Sequence, residues 1–408
     1  MKRLLYCPSD IHNGDWYYRC IRPLEELNKM FPGEWDITVS QAFKWDDVNY
    51  LKKFDLIVVH GGAFAAEDQD LFWSFLVWAK NEGGPVTCLD IDDYWEYGKE
   101  HPLNIYNVTN AIAQKTLGTV SLCDFVTTTT ERFADIIRQY NKNVFIMPNS
   151  LCADDTQFTV KKRVTPRLKF GLAGGSSHVN DIRELINDKE CFIDYMTNAQ
   201  RDKMQIVLCG FDTRSTMTIV DSNGNVVEKR DNTPEETWWT KIERKLTHDY
   251  KDVSDEYRKL LLKYDRSDEA YDASDEPYKR VWTKKIWDDG QGDYGKIYED
   301  IDVLMVPLRD TQFNRCKSEL KQIEAGWTCS ACMCSDVPPY NDWGTEADTI
   351  FVGKGPKAWA REIKKLLRDP KIYETKANIL RDRVLKERDT KKLTAYRHEV
   401  YMQMMTRQ

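Results

Sequence analysis

The chain has 408 residues, a formal net charge of -7, 41% hydrophobic residues and 31% charged residues. That length supports two domains of ordinary size, and that balance excludes a disordered chain. The acidic total speaks against a globally basic nucleic-acid binder while leaving room for a local basic patch.

The longest apolar run, "LFWSFLVWA", is well short of the roughly 18 residues of a membrane span. The N-terminal "MKRLLYCPSD" has too short an apolar stretch for a signal peptide and reads as a first strand. Both features point to a cytoplasmic protein. The eleven cysteines sit mostly within strand or helix patterns, as small buried hydrophobes do in a reducing compartment. The tightest group, Cys329, Cys332 and Cys334 in "CSACMC", lacks a fourth ligand and a second paired motif. It reads as a core strand with Cys332 and Cys334 on one face.

Over residues 1–150, short apolar strands alternate with helical patterns. In order they are "RLLYC", "YYRCIRPLEELNKMF", "DITVS", "DLIVVH", "QDLFWSFLVWAKN", "VTCLDID", "DFVTTTT", "ERFADIIRQY" and "VFIMPN". This alternation predicts parallel βαβ units with right-handed crossovers. A polar linker spans about 151–166. A second such run then occupies about 167–385, from "RLKFGLAGG" through "QIVLCG", "DVLMVPL" and "ACMCSD" to "TIFVG". It is interrupted at about 213–285 by a hairpin signal around Asn223-Gly224 and two helical patterns. The end is helical with a break at Pro370. The fold class is therefore α/β, two Rossmann-like halves in tandem. Ligands of such sheets bind beyond the carboxyl ends of the strands, where the loops Gly14–Arg19, Gly61–Phe64, Asp90–Asp93, Gly174–His178 and Phe313–Lys317 fall.

Four of these loops carry candidate chemistry. "NGDWYYR" opens a helix with a glycine, which allows close backbone approach, and places Arg19 one turn in to aim at an anion; otherwise it is a plain turn. "LDIDDYWEY" contains Asp90-x-Asp92, which fits a metal–diphosphate site, a hydrogen-bond anchor, or an acceptor-sugar site in which Asp92 and Asp93 accept from hydroxyls beside Tyr94 and Trp95. The acceptor-sugar reading is preferred, and no metal is assigned. "GLAGGSSHVND" places Gly174, Gly175, Ser176, Ser177 and His178 between a strand and a helix, as a phosphate-binding loop or as a capped turn. Read as one helix, "FNRCKSELKQIEAGW" puts Lys317, Lys321 and Glu324 at i, i+4 and i+7 on one face, apart from a core stripe of Cys316, Leu320, Ile323 and Trp327. A like-charge pair at i, i+4 destabilises an isolated helix. Two cations and a carboxylate in line match a ligand with a diphosphate at one end and a ribose at the other.

With these motifs, above all "DVLMVPLRDTQFNRCKSELKQIEAGWTCSACMCSDVPPY", the chain resembles GT-B-fold glycosyltransferases of the group-1, family-four-like type common in bacterial and phage genomes. The resemblance spans nearly the whole chain outside the insertion. It implies that Glu324 binds the donor ribose, that Lys317, Lys321 and the Gly174–His178 loop hold the donor diphosphate, and that the final helix, about 386–408, crosses back onto the first domain; Arg19, by its place in the first helix, is a further candidate for the diphosphate. A second glutamate found in many members is replaced here by Cys316, which leaves retention or inversion open. The implied function is metal-independent transfer of a sugar from a nucleotide-diphosphate sugar, its co-substrate, to an unknown hydroxyl-bearing acceptor such as a carbohydrate. Lys317 would stabilise the departing charge, and Asp15, Asp92 or Asp93 would serve as base if the reaction inverts. The alternatives are a phage DNA-modifying glycosyltransferase, less favoured by the net charge, and a non-catalytic nucleotide- or carbohydrate-binding module.

Overall fold

In the computed structural model, residues 1–9, 14–62, 66–101, 103–154, 156–174, 178–209, 216–220, 226–231, 282–285 and 294–406 are described. Two six-stranded sheets, parallel throughout, build the molecule. The first comprises β1 (Lys2–Cys7), β2 (Trp35–Val39), β3 (Leu56–His60), β4 (Val86–Asp90), β5 (Phe125–Thr128) and β6 (Val144–Ile146), in the order β2-β1-β3-β4-β5-β6.

The strands β7 (Leu168–Ala173), β8 (Met204–Cys209), β11 (Trp282–Lys285), β12 (Val303–Val306), β13 (Ala331–Ser335) and β14 (Thr349–Val352) form the second sheet, in the order β11-β8-β7-β12-β13-β14. Between β8 and β11, β9 (Thr216–Val220) and β10 (Val226–Asp231) pair as an antiparallel hairpin. The two helical patterns expected in this insertion lie outside the described residues. Its far end is corrected: "WTKK" is the edge strand β11, hydrogen-bonded in parallel to β8.

The strands read as continuous apolar runs because both faces of each sheet are covered. Along β1 and β3, Leu4, Tyr6, Leu56 and Val58 enter one cluster, closed by Leu24, Leu27, Val400, Tyr401 and Met404. Leu5, Cys7, Ile57 and Val59 enter the opposite one with Phe72, Phe75 and Phe133. The final helix, Thr390–Thr406, thus packs against Arg22–Met30 under the first sheet. The second sheet is sandwiched likewise. Phe170, Ile206, Met305 and Met333 meet Trp359 and Ile363 on one side. Leu304, Cys332 and Cys334 meet Ile323, Leu380 and Val384 on the other. Cys332 and Cys334 are fully buried core residues on one face of β13.

The stretch Phe313–Trp327 is not one helix. A turn at Gln312–Arg315, opened by a Thr311 side-chain cap, stops at Cys316, and a new helix runs from Leu320 to Trp327. Lys317 lies in the break, so the expected line of Lys317, Lys321 and Glu324 on one face does not exist. Cys316 instead turns into the core of the first domain.

The helix Leu320–Trp327 packs on Lys371–Glu387 through Gly326. A Cβ there would lie 2.7 Å from Val384 Cγ2 and 2.9 Å from Leu380 Cγ. Overpacking of this kind costs about 1–3 kcal/mol. Gly326→Ala is expected to lose stability of that size in urea unfolding followed by circular dichroism.

Candidate functional site

Asp90 ends β4 and is only 1% exposed. A carboxylate this dry needs a matched cation, and Arg19, equally buried, supplies it. Arg19 Nη2 and Nε donate to Asp90 Oδ1 and Oδ2 at 2.5 and 3.1 Å, while Nη1 donates to Met147 O at 2.6 Å and Asn149 Oδ1 at 3.1 Å. Tyr6 and Thr127 hydroxyls also donate to Asp90, at 2.9 and 2.7 Å. Burial by itself would raise the Asp90 carboxyl, but Arg19 outweighs it and holds the group below its usual range.

The assignment of Arg19 to a donor diphosphate is therefore corrected: its guanidinium is buried and consumed by Asp90. Nor does Asp90 form a metal pair with Asp92. The local reason is a π-helical turn over Trp16–Ile21. It sends three consecutive side chains, Tyr18, Arg19 and Cys20, into buried positions. Such single-turn π segments often mark functional sites.

Two residues beyond Asp90, the chain leaves the sheet with Asp92 at the cleft between the two domains, where its neighbour Asp93 meets Lys317 of the second. Asp92 Oδ1 lies 3.2 Å from His60 Nε2 at the end of β3, and His60 Nδ1 lies 2.9 Å from Ser9 Oγ after β1. Asp15, at the start of the first helix, completes the cluster: one ligand atom from each of Asp15, His60 and Asp92 lies within 4.8 Å of the other two. A divalent cation is compatible with that spacing.

His60 was missed in the sequence, although the signal is visible. It stands at a strand end before Gly61 and Gly62, both at positive φ (98° and 103°), a backbone region that favours glycine. A Cβ on Gly61 would come within 3.2 Å of Ser9 Cβ, so the glycine lets Ser9 reach His60.

The three groups shift one another. Asp15 is raised, first by the Asp92 charge and then by burial. Burial alone would raise Asp92 as well, but His60 outweighs it and pulls the carboxyl well below its usual range. Burial would lower His60, yet Asp92, Asp90 and Asp15 hold it up. Near neutrality Asp92 is thus a carboxylate, His60 an imidazolium and Asp15 a protonated acid. Among the expected bases, Asp92 is the ionised carboxylate in contact with His60. Asp93 is more exposed and faces Lys317 Nζ at 3.3 Å.

The aromatic wall also differs from expectation. Trp95 is 4% exposed and packs on Phe133 at 5.7 Å between ring centres, which makes it core and not a sugar platform. At the cleft, Tyr97 stacks on His101 at 4.4 Å, and Phe313 from the second domain lies 4.8 Å from Tyr97. Lys317 Nζ sits 4.6 Å over the Phe313 ring.

On the second domain, Gly174 follows Ala173, the last residue of β7, and His178 is the next described residue; Gly175, Ser176 and Ser177 lie outside the described residues. His178 Nδ1 is 2.9 Å from Asp181 Oδ2. Asp181 Oδ1 accepts from Arg309 N at 3.0 Å and Asn314 Nδ2 at 2.8 Å. This ties the Gly174–His178 loop to the segment carrying Lys317.

Glu324 is 1% exposed. Its Oε2 accepts from Tyr294 at 2.9 Å, Tyr298 at 2.5 Å and Lys321 at 2.8 Å, and its Oε1 from Tyr18 of the first domain at 2.7 Å. Lys321 also donates to the Tyr294 hydroxyl. Lys321 is thereby the counter-ion of Glu324, held above its usual pKa by that carboxylate against the opposing effect of burial.

No protein-family model and no curated protein matches the sequence. The fold, by contrast, is shared with solved glycosyltransferases. Sucrose-phosphate synthase from Thermosynechococcus elongatus superposes with a TM-score of 0.59 at 13% identity, over 100% of both chains. HepE of Anabaena, solved in complex with UDP, gives 0.61 at 11% identity over 99% of this chain and 100% of its own. The trehalose-6-phosphate synthase OtsA gives 0.57 at 11%, over 100% and 99%. The architecture is the GT-B fold. No described helix is long and apolar enough to cross a membrane.

Two measurements test this geometry. Arg19→Met strands the Asp90 carboxylate, and breaking a buried pair costs about 3–5 kcal/mol; chemical unfolding should show a loss in that range. The pH dependence follows from the sign of the shifts. His60, raised to about 9, contributes stability fully below its unfolded value of about 6.5, and loses it as pH rises to about 9. Asp15, raised to about 8, holds a proton in the folded state that the unfolded chain releases near pH 3.9, so it too lowers stability as pH rises towards 8. In urea titrations stability should fall from about pH 4 to about 8 through Asp15 and from about pH 6.5 to about 9 through His60, with a shallower slope over the first range in Asp15→Asn and over the second in His60→Gln.

Proposed function

We propose that this chain is a glycosyltransferase that moves a sugar from a nucleotide-diphosphate sugar to a hydroxyl-bearing acceptor. The observation that carries the reading is the pairing of two unlike walls across the cleft. The first domain presents Asp92, His60 and Asp15, a set of proton-handling groups. The second presents Lys317 with the start and end of a glycine loop, Gly174 and His178, joined through Asp181 and Asn314. The UDP complex of HepE, which shares the fold, supports a nucleotide as the ligand of the second wall.

In this reading the donor diphosphate lies against the Gly174–His178 loop, whose glycine-rich sequence suits close backbone approach to a ligand. Lys317 neutralises charge as the glycosidic bond breaks, and the diphosphate departs without a metal ion. Glu324 is the carboxylate assigned to the donor ribose. The acceptor hydroxyl hydrogen-bonds to Asp92, which His60 orients and keeps ionised. Asp15, protonated, donates to Asp92 and is not the base. Tyr97, His101 and Phe313 form the apolar edge against which a sugar ring packs.

A thermal-shift panel of UDP, GDP, ADP, CMP and TDP and their sugars, with and without EDTA, tests this assignment. One nucleotide diphosphate should raise Tm, unaffected by EDTA, and Lys317→Ala should abolish the rise. Loss of the shift in EDTA would make the Asp15–His60–Asp92 cluster a metal site. On the donor so identified, Asp92→Asn should lower turnover by about 10²–10⁴-fold. Absence of a shift with every nucleotide, together with no donor hydrolysis, would sink the assignment.

A further inference from the structure

The two oxygens of Glu324 are not equivalent. Oε2 carries three donors, Tyr294, Tyr298 and Lys321, all from its own domain. An oxygen so loaded has no room for another donor. Among the described residues, Oε1 accepts only from Tyr18, at 2.7 Å across the domain boundary. Tyr18 is 6% exposed and sits in the apolar cluster of the second domain, although its backbone belongs to the first. Its phenol therefore offers Glu324 what a ribose hydroxyl offers: one O–H donor, arriving from outside the second domain.

We propose that Tyr18 sets donor affinity, because its hydroxyl occupies the Glu324 position that a ribose hydroxyl takes, so that a nucleotide binds by displacing it. The inference rests on the reading of Glu324 as the ribose residue. Exchange at Oε1 keeps the carboxylate satisfied throughout, since one hydroxyl replaces another while Lys321, Tyr294 and Tyr298 stay in place. The cost of donor binding is then the loss of the Tyr18 contact, and with it part of what holds the domains together without ligand.

The test is the affinity of the purified full chain for UDP, GDP and ADP by calorimetry, in wild type, Tyr18→Phe and Tyr18→Met. The 2′,3′-dideoxy form of whichever nucleotide binds serves as the specificity probe. A hydrogen bond to a charged group contributes enough to change affinity by about tenfold to a hundredfold. Tyr18→Phe should tighten the ribonucleotide by that factor and leave the dideoxynucleotide unchanged. Tyr298→Phe removes a hydroxyl from the loaded oxygen within the same domain and should give no such gain.

Wild-type binding that is unchanged or weakened in both Tyr18 variants overturns the inference while leaving the nucleotide assignment standing. An equal gain for ribo- and dideoxynucleotide overturns it too, since Tyr18 would then act by general loosening. No binding by any form overturns both readings. Binding that appears only in the Tyr18 variants supports the displacement directly.

Discussion

The buried ion pair between Arg19 and Asp90 is the constraint on which the site depends. Two opposite charges, each 1% exposed, persist in the interior only because the guanidinium fork meets both carboxylate oxygens and its remaining donors find Met147 and Asn149. Asp90 is the last residue of β4, and Asp92 and Asp93 follow after Ile91. Fixing Asp90 therefore fixes the direction in which the chain leaves the sheet, and places Asp92 beside His60 from the neighbouring strand. His60 is itself the register partner of Asp90. Charge that looks functional in the sequence is spent on position, and the residues it positions face the cleft.

The same π-helical turn that turns Arg19 under the first sheet sends its neighbour Tyr18 into the second domain, onto Glu324. An exchange in the other direction occurs at Cys316, which leaves the second domain to pack among Phe72, Phe133 and Trp95 of the first. Around these two apolar crossings lie exposed ion pairs, Arg132 with Asp342 and Arg309 with Glu100. Exposed pairs contribute little stability, of order 0–1 kcal/mol. The apolar crossings and the buried Tyr18–Glu324 bond hold the halves together, while the rim charges add register. Asp92 and His60 stand on the first domain's side of this seam and Lys317 on the second's.

Much of the fold was legible in the sequence. Apolar runs of strand length between helical periods gave both parallel sheets, since residues buried on both faces leave a continuous hydrophobic signature. The edge strand β11 was not legible, because "WTKK" has no such run and follows a long polar segment. Of the candidate site, the positions of Asp15, Asp92, Asp93, Lys317 and Gly174 beyond strand ends were legible, because chain order alone places those loops. Trp95 was misread because burial of an aromatic residue depends on Phe133, which is distant in sequence. The break after Arg315 escaped periodicity, since Cys316 and Leu320 continue an apolar rhythm that the backbone does not follow.

What the sequence determined by itself was the class of fold and the carboxyl-edge loops where chemistry-bearing side chains collect, because both follow from local period and chain order. What only the tertiary structure decided was the role of each charge. Arg19 and Lys321 are cations at helix positions that look alike on paper. One lies on Asp90 and the other on Glu324, whereas Lys317 remains at the cleft. Arg19 finds its opposite charge 71 positions away; Glu324 has its own in Lys321, three positions back in the same helix, but its other oxygen is satisfied by Tyr18, 306 positions away. No local pattern carries those distant contacts, since they exist only where the fold brings the groups together.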